Sequence, residues 1–263
     1  MEKEIRKVLY SRSGLDDHVL YNPTRKPSKE MERPLIVDVT KDISNSTVVY
    51  HKNTKAVQAL LNDADLIVAD SARLLTLFKG FFSHFKVVAP YASGQAVDTP
   101  NEDGLKVGLL NHSTDVSMAN MHHKKLLSAL DEEFLFFGKG VDGLQGEVIE
   151  GLDEFAGRCD ILLLPSLPNR INSVTIPLCV MRAGTVVIAR NSAGYYELSS
   201  ATGVLLLDSD HSGDWGKRID DARRSPKLME QYKLFNQKYA KSISDDSMKR
   251  LNMLSSRLAD LNK

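Results

Sequence analysis

Short runs of consecutive apolar residues recur along this chain, separated by stretches whose apolar positions repeat every three to four residues. In the first third, runs at 7–10, 35–39, 47–50, 66–69 and 86–89 read as strands. A second series lies at 106–110, 134–137, 147–149, 161–164, 186–189 and 204–207. These runs are continuous rather than alternating, as expected of parallel strands covered on both faces by helices. Helical periodicity falls between them, over 54–63, 71–81, 122–130, 152–158 and 175–183. Strand and helix in alternation predict α/β architecture built from doubly wound sheets. From residue 212 the pattern is helical to the end, with Trp215, Ile219, Leu228, Tyr232, Phe235 and Tyr239 spaced for one buried face.

The alternation breaks once. Residues 92–103, ASGQAVDTPNED, are small, turn-forming and acidic and carry no periodicity, so a first lobe ends near 98 and a second begins near 104. With 42% hydrophobic and 26% charged residues, the 263-residue chain has enough apolar material for real cores. Lys plus Arg equals Asp plus Glu at 34 each, so global charge points to neither nucleic acid nor membrane. Local charge differs: 217–250 holds ten Lys or Arg against five Asp or Glu, and the first sixty residues also lean basic. Lysine-rich outer faces of amphipathic helices explain this plainly, and a face for an anionic acceptor explains it functionally. Cys159 and Cys179 lie in core-like stretches with no metal spacing, which fits a reducing compartment. The charged start is no leader, and no apolar run nears the ~20 residues of a membrane span. A soluble cytoplasmic protein is expected.

The second lobe carries a more specific pattern. Cys159-Asp160-Ile161-Leu162-Leu163-Leu164-Pro165-Ser166 is followed by Met181-Arg182-Ala183-Gly184 and a strand, then by Gly194-Tyr195-Tyr196-Glu197 and Thr202-Gly203 before another strand. In order and spacing this resembles the donor-binding half of retaining glycosyltransferases with two facing Rossmann-like lobes, the GT-B architecture. Asp65-Leu66-Ile67-Val68-Ala69-Asp70-Ser71 is similar to the element closing that family's first lobe. The resemblance implies an acceptor lobe over 1–98, here trimmed, and a donor lobe over 104–239. It also implies a final helix, about 240–263, that returns to the first lobe. The implied activity is transfer of a sugar from a nucleotide-sugar, a UDP-sugar, to a hydroxyl acceptor, with no tightly bound cofactor and no metal requirement. Compact members of this style resemble bacteriophage enzymes that glycosylate hydroxymethylated bases, so double-stranded DNA is a candidate acceptor. One departure stands out. Counting back from Gly184, the family's two glutamates eight residues apart fall on Ile171 and Cys179, and a cysteine cannot hold ribose hydroxyls by charge-assisted hydrogen bonds.

Transfer from such a donor releases a diphosphate, so the site must hold developing negative charge, which helix N-termini and backbone amides do. Three loops at strand ends qualify. They are Asn111-His112-Ser113, Gly138-Lys139-Gly140, and the stretch from Ser166 through Arg170 and Asn172 to Ser173 and Thr175. Arg170, Asn172, Ser173 and Thr175 are the leading diphosphate candidates. Ser173 or Thr175 as an ordinary helix cap, and Lys139 as a solvated turn residue, are the plain alternatives. In the first lobe Ser13 and Gly14 follow the opening run as donor-side candidates, while Asp16, Asp17, His18 and His51 are candidate acids or bases. His122 and His123 lack a third ligand, so no metal site is expected.

Two rivals share the fold class. A relative without activity, acting as a binding or partner subunit, accounts for the missing glutamates, and a small glycan or lipid-linked acceptor replaces DNA equally well. A dinucleotide-binding enzyme is disfavoured, because Tyr10-Ser11-Arg12-Ser13-Gly14 offers one glycine where that fingerprint needs three.

Overall fold

A computed structural model describes residues 2–21, 33–39, 55–76, 78, 80, 85–95, 104–112, 114–166, 173–191 and 195–261. The chain forms two compact units. The first contains Met1–Ser93, Ser173–Ile176 and Ser242–Lys263, and the second Gly94–Asn172 and Pro177–Lys241.

The first unit opens with helix α1 (Glu2–Ser11), where the sequence pattern predicts a strand at 7–10. The reason is the period. Ile5, Arg6, Leu9 and Tyr10 are buried while Lys3, Glu4, Lys7, Val8 and Ser11 are exposed, a 3.6-residue stripe that a four-residue apolar window cannot display. Gly14, at φ +66°, turns the chain out of this helix, and the Ser13 hydroxyl donates to the Leu9 carbonyl at 3.0 Å. Residues 13 and 14 therefore finish a helix rather than follow a strand.

Asp16, Asp17 and His18 form a 3₁₀ turn leading into β1 (Val19–Tyr21), a strand the apolar pattern does not mark. Strands β2 (Ile36–Asp38), β3 (Leu66–Ala69) and β4 (Phe85–Val88) complete a parallel sheet in the order β1-β2-β3-β4, with α2 (Lys55–Asp63) and α3 (Ala72–Thr76) on either side of β3 in sequence. The run at 47–50 and His51 lie outside the described residues.

The second unit is built on six parallel strands in the order β10-β9-β8-β5-β6-β7. They are β5 (Val107–Leu110), β6 (Phe134–Phe137), β7 (Gly146–Ile149), β8 (Ile161–Leu164), β9 (Val186–Arg190) and β10 (Val204–Leu207). All six match predicted runs to within a residue at each end. Helices α4 (Thr114–His122), α5 (Lys124–Ser128), α6 (Leu152–Arg158) and α7 (Thr175–Ala183) link them, so the helix expected over 122–130 begins earlier and breaks at His123. The core joins Val107, Leu109, Phe134, Phe136, Ile161, Leu163 and Ile188 to Leu127 of α5 and to Trp215 and Ile219 of α8 (Ser212–Arg224).

The last helix, α9 (Pro226–Leu261), runs 36 residues, its first turns in the second unit and its last in the first. Its buried face is turned by one position from the expected one. Leu228 and Phe235 are exposed, and Met229, Asn236 and Ala240 are buried. Apolarity alone misplaced the stripe because one buried position is polar. The Asn236 amide donates to the carbonyls of Thr185 and Gly203 at 2.8 and 3.0 Å, and Lys233 pairs with Asp160. Lower down, the Ser244 hydroxyl accepts from the Ala92 amide at 2.9 Å. Among the described residues no helix is long and apolar enough to cross a membrane.

Candidate functional site

In the six-stranded sheet the order reverses between β5 and β8, so the chain leaves these neighbours toward opposite sides. Ligands of open α/β sheets bind outside the strand carboxyl ends at such a point. The end of β5 supplies Asn111 and His112, and the end of β8 supplies Pro165 and Ser166, the latter 1% exposed.

Asn111 ties two loops together. Its backbone amide donates to the Phe137 carbonyl, and its side-chain amide donates to the carbonyls of Lys139 and Gly140, each at 2.9 Å. The acceptor half of that side chain, Oδ1, is buried with no hydrogen-bond partner. His112 lies against Phe137, ring centroids 5.5 Å apart, and its Nδ1 is likewise buried and unpartnered. Burial pulls the imidazole pKa down from 6.5 to about 4, so the ring is neutral at pH 7. From α4, Asn120 donates to the Leu110 carbonyl at 2.7 Å and leaves its own Oδ1 buried and unpartnered. Three unsatisfied polar atoms around the end of one strand are unusual, because buried polar groups nearly always find partners. Helix α4 starts within four residues of the same strand end, which adds amides and a positive dipole end. The bare amide oxygens call for hydrogen-bond donors such as hydroxyls and the α4 amides for an anion, so the arrangement suits a ligand carrying both.

Lys139 contributes its carbonyl here, while its side chain belongs to an exposed residue. Farther along the same edge, Asp210 lies 3.3 Å from His123 Nε2 and 3.0 Å from Arg190 Nη1. The second is an ion contact without hydrogen-bond alignment, since Arg190 Nη1 has no hydrogen-bond partner.

The first unit carries two polar groupings at the ends of its strands. Arg6 of α1 donates to Asp38 at 2.9 Å, to Tyr10 at 3.4 Å and to the Ala89 carbonyl, while Tyr10 donates to Asp38 at 2.6 Å. Arg6, Tyr10 and Asp38 are all fully buried or nearly so. Burial opposes the charge on Arg6, but the Asp38 carboxylate outweighs it and raises the guanidinium pKa. This network fastens α1 to the sheet.

The second grouping surrounds Asp70, directly after β3. Its Oδ2 accepts from the Ser173 hydroxyl at 2.6 Å, the Val174 amide at 3.0 Å and the Thr175 hydroxyl at 3.1 Å. Ser173 in turn accepts from the Thr175 amide at 3.2 Å, a local turn that opens α7. Ser173 and Thr175 thus meet a carboxylate. Burial raises the Asp70 pKa to about 6, against the lowering influence of these hydrogen bonds and of Arg6.

Of the sequence candidates, Asn111, His112, Lys139 and Ser166 stand on strand-end loops of one sheet, and Ser173 and Thr175 converge on Asp70. Ser13 and Gly14 cap α1. Asp17 is exposed, and His18 is half-buried with an unpartnered Nδ1. The side chain of Asp16, and all of His51, Ser113, Arg170 and Asn172, lie outside what the structure describes. Cys179 is buried within α7, 4% exposed. Sequence reasoning assigned no role to Asp70, although an acidic residue ending the four-residue buried run 66–69 was a usable signal.

The fold is that of the GT-B glycosyltransferases: two Rossmann-like parallel sheets with helices and a long C-terminal helix. A structure of Anabaena HepE in complex with UDP and glucose superposes with TM-score 0.64 at 14% identity, covering 97% of this chain and 80% of that one. Sucrose-phosphate synthase from Thermosynechococcus elongatus gives 0.62 at 12%, covering 87% and 68%. WaaG, a glycosyltransferase involved in lipopolysaccharide biosynthesis, gives 0.62 at 11%, covering 94% and 81%. No protein-family model matches the sequence, and no curated protein matches it either.

Proposed function

We propose that this protein is a glycosyltransferase that takes a sugar from a nucleoside diphosphate donor, a UDP-sugar, bound at the carboxyl edge of the six-stranded sheet. The observation that carries the reading is the pairing, around the end of β5, of unpartnered buried acceptors for sugar or ribose hydroxyls, Asn111 Oδ1 and Asn120 Oδ1, with the α4 amides as donors for a phosphate. UDP and glucose in the HepE complex supply the donor class. Breaking the sugar–phosphate bond moves negative charge onto the departing diphosphate. The α4 amides and a neutral His112 offer hydrogen bonds there without a desolvated cation. The sugar passes to a hydroxyl, whose proton must leave to a base or to the departing phosphate.

Calorimetric and thermal-shift titration with UDP, GDP and UDP-sugars tests the donor. A ligand at about 100 times its Kd stabilises by ~2.7 kcal/mol, and no shift with any nucleotide overturns the reading. A second reading has a specific observation behind it. Cys179, at the place of the glutamate that the resemblance assigns to the donor ribose, is buried and has no carboxylate for that contact, which fits a binding or partner subunit without transfer. Binding with no product from several donors favours it.

The acceptor proposal includes a hydroxymethylated base in duplex DNA, drawn from the basic stretch 217–250. Ion pairs consume part of that charge: Arg223 with Glu132 at 2.6 Å, Lys233 with Asp160, and Lys249 with Asp246 at 3.7 Å. Transfer onto modified and unmodified duplexes, alongside glycan and lipid-linked acceptors, separates the alternatives. DNA binding must weaken with a log–log salt slope of about −0.9 per phosphate contacted.

A further inference from the structure

We infer that Asp70 is a built-in competitor of the donor: its carboxylate occupies the anion-binding start of α7, and a diphosphate must displace it to use those groups. This rests on the donor reading above and adds a control to it.

The start of α7 is arranged for an anion. The Val174 amide and the hydroxyls of Ser173 and Thr175 converge on a single oxygen, Asp70 Oδ2. The helix spans nine residues, so its positive dipole end adds to these donors. The occupant differs from an ordinary surface cap in its burial. Asp70 is 1% exposed, and its second oxygen, Oδ1, is buried with no hydrogen-bond partner. A capping serine or threonine would bring no charge and leave no bare oxygen, whereas a carboxylate carries about four acceptor sites.

Compensation is incomplete. Among the described residues, Arg6 of α1 is the charged group that faces Asp70, and its hydrogen bonds go to Asp38, Tyr10 and Ala89. The raised Asp70 pKa agrees with a carboxylate held where its charge is poorly supported. Each donor at the start of α7 is engaged once. A phosphate reaching them would meet the same three groups and a like charge beside them, so the two anions exclude each other.

The test is calorimetric titration of the full-length protein and its Asp70→Asn variant with inorganic pyrophosphate and with UDP. The neutral variant keeps the side chain's size and its acceptor for Val174. We expect pyrophosphate and UDP to bind the variant roughly tenfold tighter or more, as for a typical coupling between competing sites. Asp70→Ser, which also removes the charge, must show the same direction if Asp70→Asn fails to fold. Equal or weaker pyrophosphate binding by a folded variant overturns the inference and leaves Asp70 a plain cap. Tighter pyrophosphate binding with no UDP binding upholds the inference while the donor reading falls. Pyrophosphate and UDP each bound equally by both forms uphold the donor reading while the inference falls.

Discussion

A β-carbon on Gly138 would stand 2.9 Å from the Cα of His112, and 3.1 Å from the carbonyl oxygen of Asn111. The turn after β6 is therefore pressed onto the turn after β5, and Gly138 takes φ +99°, a conformation side chains rarely adopt. Gly138→Ala should lower stability by about 1–3 kcal/mol and displace both loops. Urea unfolding gives the first, and loss of UDP binding under native conditions gives the second. A variant with unchanged stability would mean that the turns separate freely.

Arg6→Met should be more costly. It takes the Arg6 guanidinium away from the Asp38 carboxylate, which is 0% exposed. Breaking a buried pair from one side costs about 3–5 kcal/mol, mostly as the penalty on the abandoned charge. Adding Asp38→Asn should recover part of the loss. A double variant as unstable as the sum of the singles would show that the two groups do not act as a pair.

The second unit was legible in the sequence because most of its strands are buried on both faces and appear as uninterrupted apolar runs, such as 161–164 and 186–189. The first unit was less so. Helix α1 hides its period behind a buried arginine, and β1 is three residues with one buried position. The phase of α9 was missed for a similar reason, since Asn236 is polar and fully buried while Phe235 beside it is 48% exposed. The place of Asn111 and His112 at a strand end was legible because β5 is an uninterrupted apolar run that stops at Leu110. The partner of Ser173 and Thr175 was not, because Asp70 is about a hundred residues away and no local pattern joins them.

Asp70 also predicts a pH signature. Its pKa rises from 3.8 to about 6 on folding, so between those values the folded state holds the proton that the unfolded state has lost. Stability from this group is therefore highest at low pH and falls as pH rises through 4 to 6, by an amount of order 2–3 kcal/mol. Arg6, the facing charge among the described residues, stays protonated throughout. Asp70→Asn should be more stable than the parent at pH 8, and the advantage should disappear near pH 4. Chemical unfolding of both proteins across that range checks it, and a constant difference would refute it.

Asn111→Ala should loosen the carboxyl edge of the six-stranded sheet from within. The variant gives up two hydrogen bonds to the Lys139 and Gly140 carbonyls. Each is worth about 0.5–1.5 kcal/mol net. Donor affinity should fall about tenfold or more, because Oδ1 disappears with them. Asn111→Asp should be worse, setting carboxylate oxygens against two carbonyls and a diphosphate. UDP titration ranks the three proteins, and equal affinities would move the donor away from β5.

His112 allows a test by titration rather than by deletion. Burial holds its pKa near 4 instead of 6.5, so the ring is neutral in the folded protein wherever the unfolded chain would begin to protonate. Here the sign is opposite to that of Asp70: the folded state refuses a proton, and stability is lost as pH falls from 6.5 toward 4. For binding, a neutral ring donates or accepts one hydrogen bond without gaining charge. UDP-glucose has no phosphate group titrating near neutrality, so it reports on the protein alone. In the Asp70→Asn background its affinity should be flat from about pH 8 to about pH 5.5, and NMR of the imidazole nitrogens should show His112 neutral across that range. Affinity that climbs on acidification in that background, and stops climbing in a further His112→Asn variant, would mean that the donor binds the imidazolium and draws a proton onto His112.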